Sequence, residues 1–400
     1  MKRRKFLQTA AVVSAGPFVL PQASISQSTA HAAEKGSAPP WRFVSMPDFL
    51  NVDTDYPQQG WEDALGYILK SVKSEQPDFL VVPGDLVMGR WHHNPGKEGI
   101  AGIRHFADRY YPAWKARLEA HGLKWYAALG DHEVGDNPWR YDGALENVAA
   151  YKAEFRKHLG MPLNGPEHMK GTAFWWKHKN VLFISVDVFE EGESAQGAIR
   201  AGVTGKQLEW LEAVITQNKE VRHVVVMGHT PCLGPVRKWS SSGLMTTGGR
   251  ESAFWQTMAK HKVSLYLCGE VHAITCTERD GVQQVAHGGL IGYNRRINYM
   301  VVDVYPDRLE LTLKEIDIVP SGKKLWQPGN NRPLENVDIS PEMQQRGYVA
   351  VGKVTLNDTA SPRTFENRQG YFLKKYETST DRAGPSKQLP RINLDGTVGD

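Results

Sequence analysis

Cysteine is scarce in this chain of 400 residues, which contains only Cys232, Cys268 and Cys276. An odd number excludes complete pairing into disulfides, so at least one thiol is free. Cys268 and Cys276 flank a polar loop and can pair across it, but buried unpaired thiols explain the pattern equally well. The cysteines therefore leave two alternatives open.

The sequence also lacks a hydrophobic run long enough to cross a membrane. Its apolar N-terminal stretch, roughly residues 9–20, is interrupted by Gly16 and Pro17. A membrane-spanning helix needs about 20 consecutive apolar residues, so this stretch is too short to be one. The pattern disfavours a transmembrane anchor.

The residues around this stretch have the order of a twin-arginine signal peptide. Lys2-Arg3-Arg4-Lys5 precedes the apolar run, and Ala30-His31-Ala32 has the form of a cleavage site. We expect a signal peptide over residues 1–32 and a polar linker over residues 33–40. Export would place the protein in the periplasm or outside the cell, with no stable membrane span after cleavage.

The chain has no excess of basic residues when residues 1–32 are left out of the count. The whole chain has 48 Lys and Arg against 44 Asp and Glu. Four of the basic residues and none of the acidic ones lie in residues 1–32, so the remainder has 44 of each sign. The sequence therefore gives no support for a nucleic-acid partner.

Side chains of metal-binding type follow five apolar segments that are predicted to be strands. They are Phe43–Ser45 before Asp48, Phe79–Val82 before Asp85, Trp125–Leu129 before Asp131, His132 and Glu133, Val224–Met227 before His229, and Val263–Leu267 before Glu270 and His272. In an open α/β sheet the ligand site lies outside the carboxyl ends of the strands. We therefore expect these side chains to converge.

Taken singly, such residues are as easily explained by helix caps, turns or ion pairs. Together they form a set of buried ionisable groups that is costly unless the groups are paired or bind metal. Carboxylates and imidazoles suit divalent metals, and two ions about 3.5–4 Å apart need a bridging ligand, which a carboxylate can supply. Such a pair can hold a hydroxide nucleophile and a phosphate, and His132 can protonate a leaving oxygen.

The order of elements predicts the architecture. Apolar strands alternate with amphipathic helices as far as residue 271, with one hairpin between, and hairpins follow. Beyond Val319 the chain is polar and rich in Pro and Gly, apart from the apolar piece Tyr348–Val354. This order predicts an α/β protein with paired mixed sheets and helices outside.

These motifs resemble those of the calcineurin-like metallophosphoesterases, a family that includes the purple acid phosphatases. The family pattern is Asp-x-His or Asp-x-Gly, then Gly-Asp, Gly-Asn-His-Glu/Asp, His, and Gly-His-x-His. The resemblance implies a domain over residues 41–319 with a four-layer αββα sandwich of two mixed sheets, and a polar extension over residues 320–400. It also implies hydrolysis of a phosphomonoester or phosphodiester, small or polymeric, by a hydroxide held at a dinuclear site.

Carried onto this sequence, the resemblance assigns Asp48 and His272 to the first metal and makes Asp85 the bridge. It assigns Asp131, His229 and Glu270 to the second metal. His132 falls at the general-acid position, with Glu133 beside it to orient it. Loops such as Arg90–Gly102, Glu190–Thr204 and Cys232–Gly249 would set the specificity.

The chain departs from the family pattern at four positions. Leu50 stands where the first motif has His or Gly, and Met88 where purple acid phosphatases have a metal-binding Tyr, which disfavours that subfamily. Asn51 or Asp53 can substitute for the ligand lost at Leu50. Asp131 replaces Asn and Glu270 replaces His, which makes the second position more anionic.

The anionic ligand set has two consequences. It favours Mn²⁺ or Mg²⁺ over Zn²⁺, with iron also compatible. It also repels a phosphate dianion, so a catalytically weakened, exported binding protein is the alternative to an enzyme. Hydrolysis of a different ester is a third alternative. The sequence does not indicate the oligomeric state.

Overall fold

The structure, a computed structural model, describes the chain from residue 40 with several gaps. The described ranges are 40–49, 61–93, 96–136, 145–191, 199–239, 241–289, 295–326, 333–377 and 389–399. The predicted signal peptide, all but the last residue of the linker, and Leu50, Asn51 and Asp53 lie outside them. Within them, no helix combines the length and apolar character needed to span a bilayer.

Strands and helices are numbered here in chain order. The strands are β1 (Trp41–Ser45), β2 (Phe79–Val82), β3 (Trp125–Ala127), β4 (Phe174–His178), β5 (Val181–Ser185), β6 (Phe189–Glu191), β7 (Ile199–Ala201), β8 (His223–Met227), β9 (Leu265–Cys268), β10 (Thr275–Arg279), β11 (Val282–Ala286), β12 (Arg296–Val304), β13 (Arg308–Asp317), β14 (Val319–Trp326), β15 (Pro333–Asp338), β16 (Val349–Asn357), β17 (Thr364–Gly370), β18 (Arg391–Ile392) and β19 (Val398–Gly399). The helices are α1 (Trp61–Ser74), α2 (Gly99–Ala120), α3 (Val148–Leu159), α4 (Gly205–Gln217), α5 (Ala253–Lys260) and α6 (Pro341–Arg346).

Two large mixed sheets form the centre of the fold. The first has the order β17-β16-β13-β12-β1-β2-β3 and the second β10-β11-β9-β8-β5-β4. In the first sheet β1, β2 and β3 are parallel, and in the second β5, β8, β9 and β11 are parallel. Helices α1 and α2 connect the parallel strands of the first sheet, and α4 and α5 those of the second. The αββα architecture expected from the sequence is confirmed.

An aromatic cluster packs the two sheets against each other. Phe43 and Phe79 of the first sheet meet Phe183 of the second edge-on, with ring centroids 5.1 and 5.2 Å apart. The strands β2, β5, β8 and β9 are buried along their whole length. Because both faces of these strands are covered, their sequences are continuous apolar runs rather than alternating ones.

The predicted hairpins are present in the structure. β10 and β11 are joined by Asp280 and Gly281, both with positive φ angles, 55° and 78°, as a two-residue hairpin turn requires. β4 and β5 pair in the predicted antiparallel manner around Lys179. All three cysteines are buried and unpaired, so no disulfide joins Cys268 to Cys276.

Residues after Val319 contribute more regular structure than their polar composition suggested. Strand β16 pairs with β13, and β17 with β16, so both extend the first sheet. The domain boundary predicted at residue 319 therefore separates segments that share one sheet. The predicted apolar piece Tyr348–Val354 lies largely in β16.

Candidate metal centre

The parallel strands bring the predicted ligands to one edge. Asp48, Asp85 and Asp131 follow β1, β2 and β3 of the first sheet, while His229, Glu270 and His272 follow β8 and β9 of the second. All six are at least 93% buried. Five of them belong to groups whose ligand atoms lie within 4.8 Å of one another: Asp48 with Asp85 and His229, and Asp131 with His229 and Glu270.

Four of these residues adopt the left-handed backbone conformation, which is unfavourable for residues other than glycine. Asp48, Asp85, Glu270 and His272 have φ angles of 59°, 61°, 68° and 51°. Such conformations cost on the order of 1–3 kcal/mol each and persist where the surrounding structure holds them, often at functional sites. The sharp turns aim the side chains across the strand ends instead of along them.

Glycines next to the ligands allow this close approach. A Cβ on Gly288 would lie 2.1 Å from Asp48 Oδ2, and one on Gly130 would lie 2.1 Å from Asp85 Oδ1. A Cβ on Gly84 would lie 2.4 Å from the Nδ1 atom of His229. The Gly-Asp pairs of the sequence are therefore a steric requirement of the site, since any larger residue would displace a ligand.

His229 is the centre of the cluster. Its Nδ1 atom lies 2.9 Å from the carbonyl oxygen of Pro83, which can only accept, so Nδ1 carries the proton and donates. Its Nε2 atom then faces Asp131 Oδ1 at 3.1 Å, Asp85 Oδ2 at 3.3 Å and Glu270 Oε2 at 3.5 Å. A histidine whose second nitrogen is fixed by a carbonyl is the usual form of a metal-binding histidine.

The carboxylates have too little positive charge around them. Burial raises the pKa of Asp48 well above its usual range, and burial together with the charge of Asp85 does the same for Asp131. Burial also opposes ionisation of Asp85, but the neighbouring His229 lowers the pKa of that carboxyl. The Oδ2 atom of Asp48 is buried and has no hydrogen-bond partner. Divalent cations fit this donor set, because they supply the missing charge and a partner for the unsatisfied oxygen.

His272 and Glu270 offer fewer ligand atoms to the cluster than the sequence implied. His272 is buried, and burial lowers its pKa to about 4, but among the described residues it belongs to no close ligand group. Glu270 uses its Oε1 atom to accept hydrogen bonds from Ser242 Oγ at 2.5 Å and the Leu244 amide at 2.9 Å. Only its Oε2 atom faces His229.

His132 lies beside the cluster with its ring fixed. Its Nδ1 atom donates to the Met88 carbonyl oxygen at 2.7 Å, so Nε2 is the nitrogen available to a substrate. Nε2 lies 3.9 Å from Asp85 Oδ2 and 3.8 Å from Asp136 Oδ1. Burial opposes protonation, but Asp136, Asp85 and Asp131 raise the pKa of His132 to about 9.

Glu133 does not orient His132 as the sequence predicted. Its Oε2 atom accepts from the amides of Asp85 and Gly130, both at 2.8 Å. Its Oε1 atom accepts from the amides of Leu86 at 2.8 Å and Val87 at 3.0 Å. All the acceptor capacity of Glu133 thus goes to backbone around Asp85, and the Met88 carbonyl takes the orienting role instead.

Nothing in the sequence indicated that Arg90 and Asp136 pair beside His132. Arg90 forms an ion pair with Asp136, which in turn approaches His132. Both Arg90 and Asp136 have positive φ angles, 59° and 61°. Positive φ cannot be read from an Arg or Asp in one sequence, and the two residues are 46 positions apart, so no local signal marked the pair.

Comparisons with known proteins identify a family and a similar fold. A sequence model of the calcineurin-like phosphoesterase family matches residues 55–273. No curated protein sequence matches significantly. Among solved structures, PhoD has 11% identity and a TM-score of 0.54, with 82% of this chain and 72% of that chain covered. A dimetal phosphatase from Danio rerio has 16% identity and a TM-score of 0.48, covering 75% of this chain and 100% of its own. At 11% identity the likeness to PhoD is one of fold.

Proposed function

The chain belongs to the calcineurin-like phosphoesterase family, and we propose that it hydrolyses a phosphomonoester or phosphodiester at a dinuclear metal site. One observation carries the proposal: three carboxylate oxygens lie within 3.5 Å of the Nε2 atom of His229, whose Nδ1 atom is held by the Pro83 carbonyl. That donor set has little use other than holding a cation. The family supports phosphoester hydrolysis as the chemistry done with it.

The ligands divide into two groups that share one carboxylate. Asp48, Asp85 and His272 would hold one ion, and Asp85, Asp131, His229 and Glu270 the other. Divalent ions at such a site polarise a phosphoryl oxygen and lower the pKa of water. Four carboxylates against two imidazoles favour Mn²⁺, with Mg²⁺ and iron also compatible and Zn²⁺ less so.

The protein's own contribution to bond cleavage is the protonation of the leaving oxygen. His132 is suited to it because its Nδ1–H is committed to the Met88 carbonyl, which leaves Nε2–H to donate. The Oδ1 atom of Asp136 lies 3.8 Å from the same Nε2 atom, and its charge favours the protonated ring. Glu133 keeps the Asp85 turn in place through four amide hydrogen bonds, so the shared carboxylate keeps its position.

A binding protein without turnover is the second candidate, and one observation favours it. Four carboxylates cancel the charge of two divalent ions, so the loaded site would be formally neutral rather than positive, which weakens its attraction for a phosphate dianion. Such a protein would retain metal and bind phosphoesters without cleaving them.

Export of the protein by the twin-arginine route is part of the proposal. The order of Lys2-Arg3-Arg4-Lys5, the apolar run and Ala30-His31-Ala32 supports it. That route accepts folded proteins, which suits a chain loaded with metal before export. The protein would then act in the periplasm or outside the cell.

Metal analysis followed by a substrate panel tests the function. The mature protein should contain about two divalent ions per chain and hydrolyse members of a phosphomonoester and phosphodiester panel when Mn²⁺ is supplied. Asp85→Asn should lose both metal and activity. Asp108→Asn is the matched control, because Asp108 is exposed, lies in a different Asp, Glu and His group and already pairs with Lys157. Full metal content without turnover on any member would favour the binding protein.

A further inference from the structure

A small cavity adjoins the metal centre and shares His272 with it. Its other walls include Arg237, Trp239, Arg296 and Glu315, and Leu389 closes it from the C-terminal segment. It measures about 30 Å³. By this measure a water molecule needs roughly 10–15 Å³, so the cavity has room for one small polyatomic group, such as a phosphate or a carboxylate, and none for a nucleobase or a sugar.

The guanidinium of Arg237 is the unusual feature of this cavity. Arg237 is 2% exposed, yet no carboxylate pairs with it in the part of the chain that the structure describes. Its Nη2 atom donates to the Pro390 carbonyl at 2.9 Å, the guanidinium lies 5.4 Å from the centre of the Tyr371 ring, and Nε has no partner. A buried cation without a counter-charge is costly, so this group points to an anion.

A second unsatisfied donor belongs to another residue that lines this cavity. The indole Nε1–H of Trp239 is buried and has no acceptor. The backbone amide of Trp239 donates to the Val271 carbonyl at 2.9 Å, which fixes this residue to the turn that carries Glu270 and His272. Two independent N–H donors therefore lie unused on the wall of one cavity, beside a predicted metal ligand.

The acidic residue of the cavity does not cancel this positive charge. Glu315 Oε1 lies 2.6 Å from Arg391 Nε and 3.8 Å from Arg296 Nε, so its charge is already met. Arg296 also donates from Nη1 to the Leu389 carbonyl at 2.8 Å. Among the described residues that line the cavity, Arg237 therefore carries the positive charge that no carboxylate neutralises.

We propose that Arg237 and Trp239 bind a second anionic group of the substrate, so that the preferred substrates are phosphoesters that carry another phosphate or carboxylate away from the scissile bond. The proposal rests on the function proposed above. Guanidinium and indole N–H groups are suited to this, because a charged, hydrogen-bonded fork recognises oxyanions with defined geometry. It also gives the C-terminal segment a part in specificity, since Leu389 lines the cavity and the Pro390 carbonyl holds Arg237.

Selenate binding tests the cavity independently of catalysis. Metal-free crystals of the mature protein soaked in selenate should show an anomalous peak within hydrogen-bond distance of Arg237 Nε and Trp239 Nε1. Arg237→Gln should abolish the peak, and Trp239→Phe, which keeps most of the ring, should lower its occupancy. Arg250→Gln, which removes an exposed arginine paired with Asp280, should leave it unchanged. Absence of the peak in the unsubstituted protein would overturn the proposal.

Kinetics then test the link to substrate. Alkanediol bisphosphates with two to six carbons should be hydrolysed with a higher kcat/KM than the matching hydroxyalkyl monophosphates. Arg237→Gln should reduce this ratio by about tenfold, the usual worth of a charge-assisted hydrogen bond, and Trp239→Phe by a few-fold. If Arg237→Gln does not fold, Trp239→Phe alone decides.

The outcomes separate this proposal from the function itself. Selenate binding without phosphoesterase activity on any substrate would reject the proposed function and leave an anion site. Activity with no preference for bisphosphates, or a preference that Arg237→Gln and Trp239→Phe leave intact, would reject the second-anion role and keep the phosphoesterase.

Discussion

The buried imidazole of His223, at the start of β8, donates a hydrogen bond from Nδ1 to the carboxylate of Asp358, which follows β16. Its Nε2 atom lies 2.9 Å from the Tyr305 carbonyl and donates to it. Asp358 also pairs with Arg363. This contact joins a C-terminal strand of the first sheet to the second sheet.

Replacement of Asp358 by asparagine should make the free energy of unfolding less dependent on pH in the acidic range. Burial opposes ionisation, but His223 and Arg363 lower the pKa of Asp358 below its usual range. A lowered pKa in the folded state stabilises the fold above the unfolded-state pKa of about 3.9, and this contribution is lost as the pH falls through the folded-state value. We expect Asp358→Asn to lower the free energy of unfolding by about 2–3 kcal/mol at pH 7. The difference in stability between the variant and the unsubstituted protein should become smaller below about pH 3.9.

Thermal unfolding between pH 7 and pH 3 measures this gap. Asp108→Asn is the matched control, because Asp108 is exposed and its pairing with Lys157 is screened by solvent. It should show a much smaller difference at every pH. If the stability difference between Asp358→Asn and the unsubstituted protein stayed constant down to pH 3, the lowered pKa of Asp358 would be contradicted.

Gly288→Ala should impair metal binding without removing a ligand. The new Cβ would lie 2.1 Å from Asp48 Oδ2, and the φ angle of 118° is unsuited to alanine. We expect at least a tenfold loss of metal affinity, since supporting contacts of metal ligands are typically worth 10–100-fold. Isothermal titration with Mn²⁺ gives the affinity.

Gly66→Ala is the control for this substitution. A Cβ at Gly66, inside α1, meets nothing within 4 Å. Alanine is favoured there by about 0.5–1 kcal/mol, so this variant should be slightly more stable with unchanged metal affinity. Equal metal binding by the two variants would mean that Gly288 does not shape the site.

Glu133→Gln should disturb the Asp85 turn, because an amide NH₂ would face backbone N–H groups that now share a carboxylate. Four hydrogen bonds depend on that carboxylate. We expect a loss of about 2–4 kcal/mol in the free energy of unfolding, together with weaker metal binding. Urea unfolding and metal titration check both. If Glu133→Gln instead lowered turnover alone, Glu133 would act on His132 after all.

His132→Ala separates proton donation from metal binding. General acid catalysis contributes typically 10²–10⁴-fold, so turnover of alkyl phosphates should fall by roughly that factor. Nitrophenyl phosphate should be affected far less, because its leaving oxygen needs no proton. Metal content should stay unchanged, and Asp136→Asn, which removes a charge that raises the pKa of His132, should give a smaller loss of the same kind. Equal losses on both substrates would remove the general-acid role.

Replacement of Arg3 and Arg4 by lysine should leave the protein in the cytoplasm. The twin-arginine route requires the arginine pair, whereas a general secretion signal needs only positive charge. Replacing Lys2 and Lys5 by arginine keeps the pair and should preserve export. Cell fractionation followed by immunoblotting measures the distribution, and normal export of the double lysine variant would disprove the twin-arginine interpretation.

Convergence of the site residues could be predicted because it depends on short-range patterns. Apolar runs mark Phe79–Val82 and Val224–Met227 as strands, and the residue after a parallel strand lies at one shared edge. Asp85 and His229 therefore had to approach each other once their strands lay in facing sheets. The glycine before each of them is visible in the sequence as well.

The bonding of Glu133 could not be predicted, because its partners are backbone amides. Every residue from Asp85 to Val87 has an N–H group, so nothing in the sequence distinguishes these from any others. The ion pair of Arg90 with Asp136 depends on two unusual backbone conformations. The strand β17 is polar and largely exposed, so it has no apolar pattern to reveal it.

The proposed metal centre takes three of its residues from the strand ends of each sheet, so we expect metal binding to be coupled to folding. Asp48, Asp85 and Asp131 belong to one sheet, and His229, Glu270 and His272 to the other. An ion bound by residues of both sheets can stay bound only while the two sheets are packed together. Metal binding would therefore stabilise the packing of one sheet against the other. By mass action, an ion present at 100 times its dissociation constant adds about 2.7 kcal/mol to the free energy of unfolding. A compartment poor in metal would thus loosen the sandwich itself, and the supply of metal would govern how long the protein survives proteases.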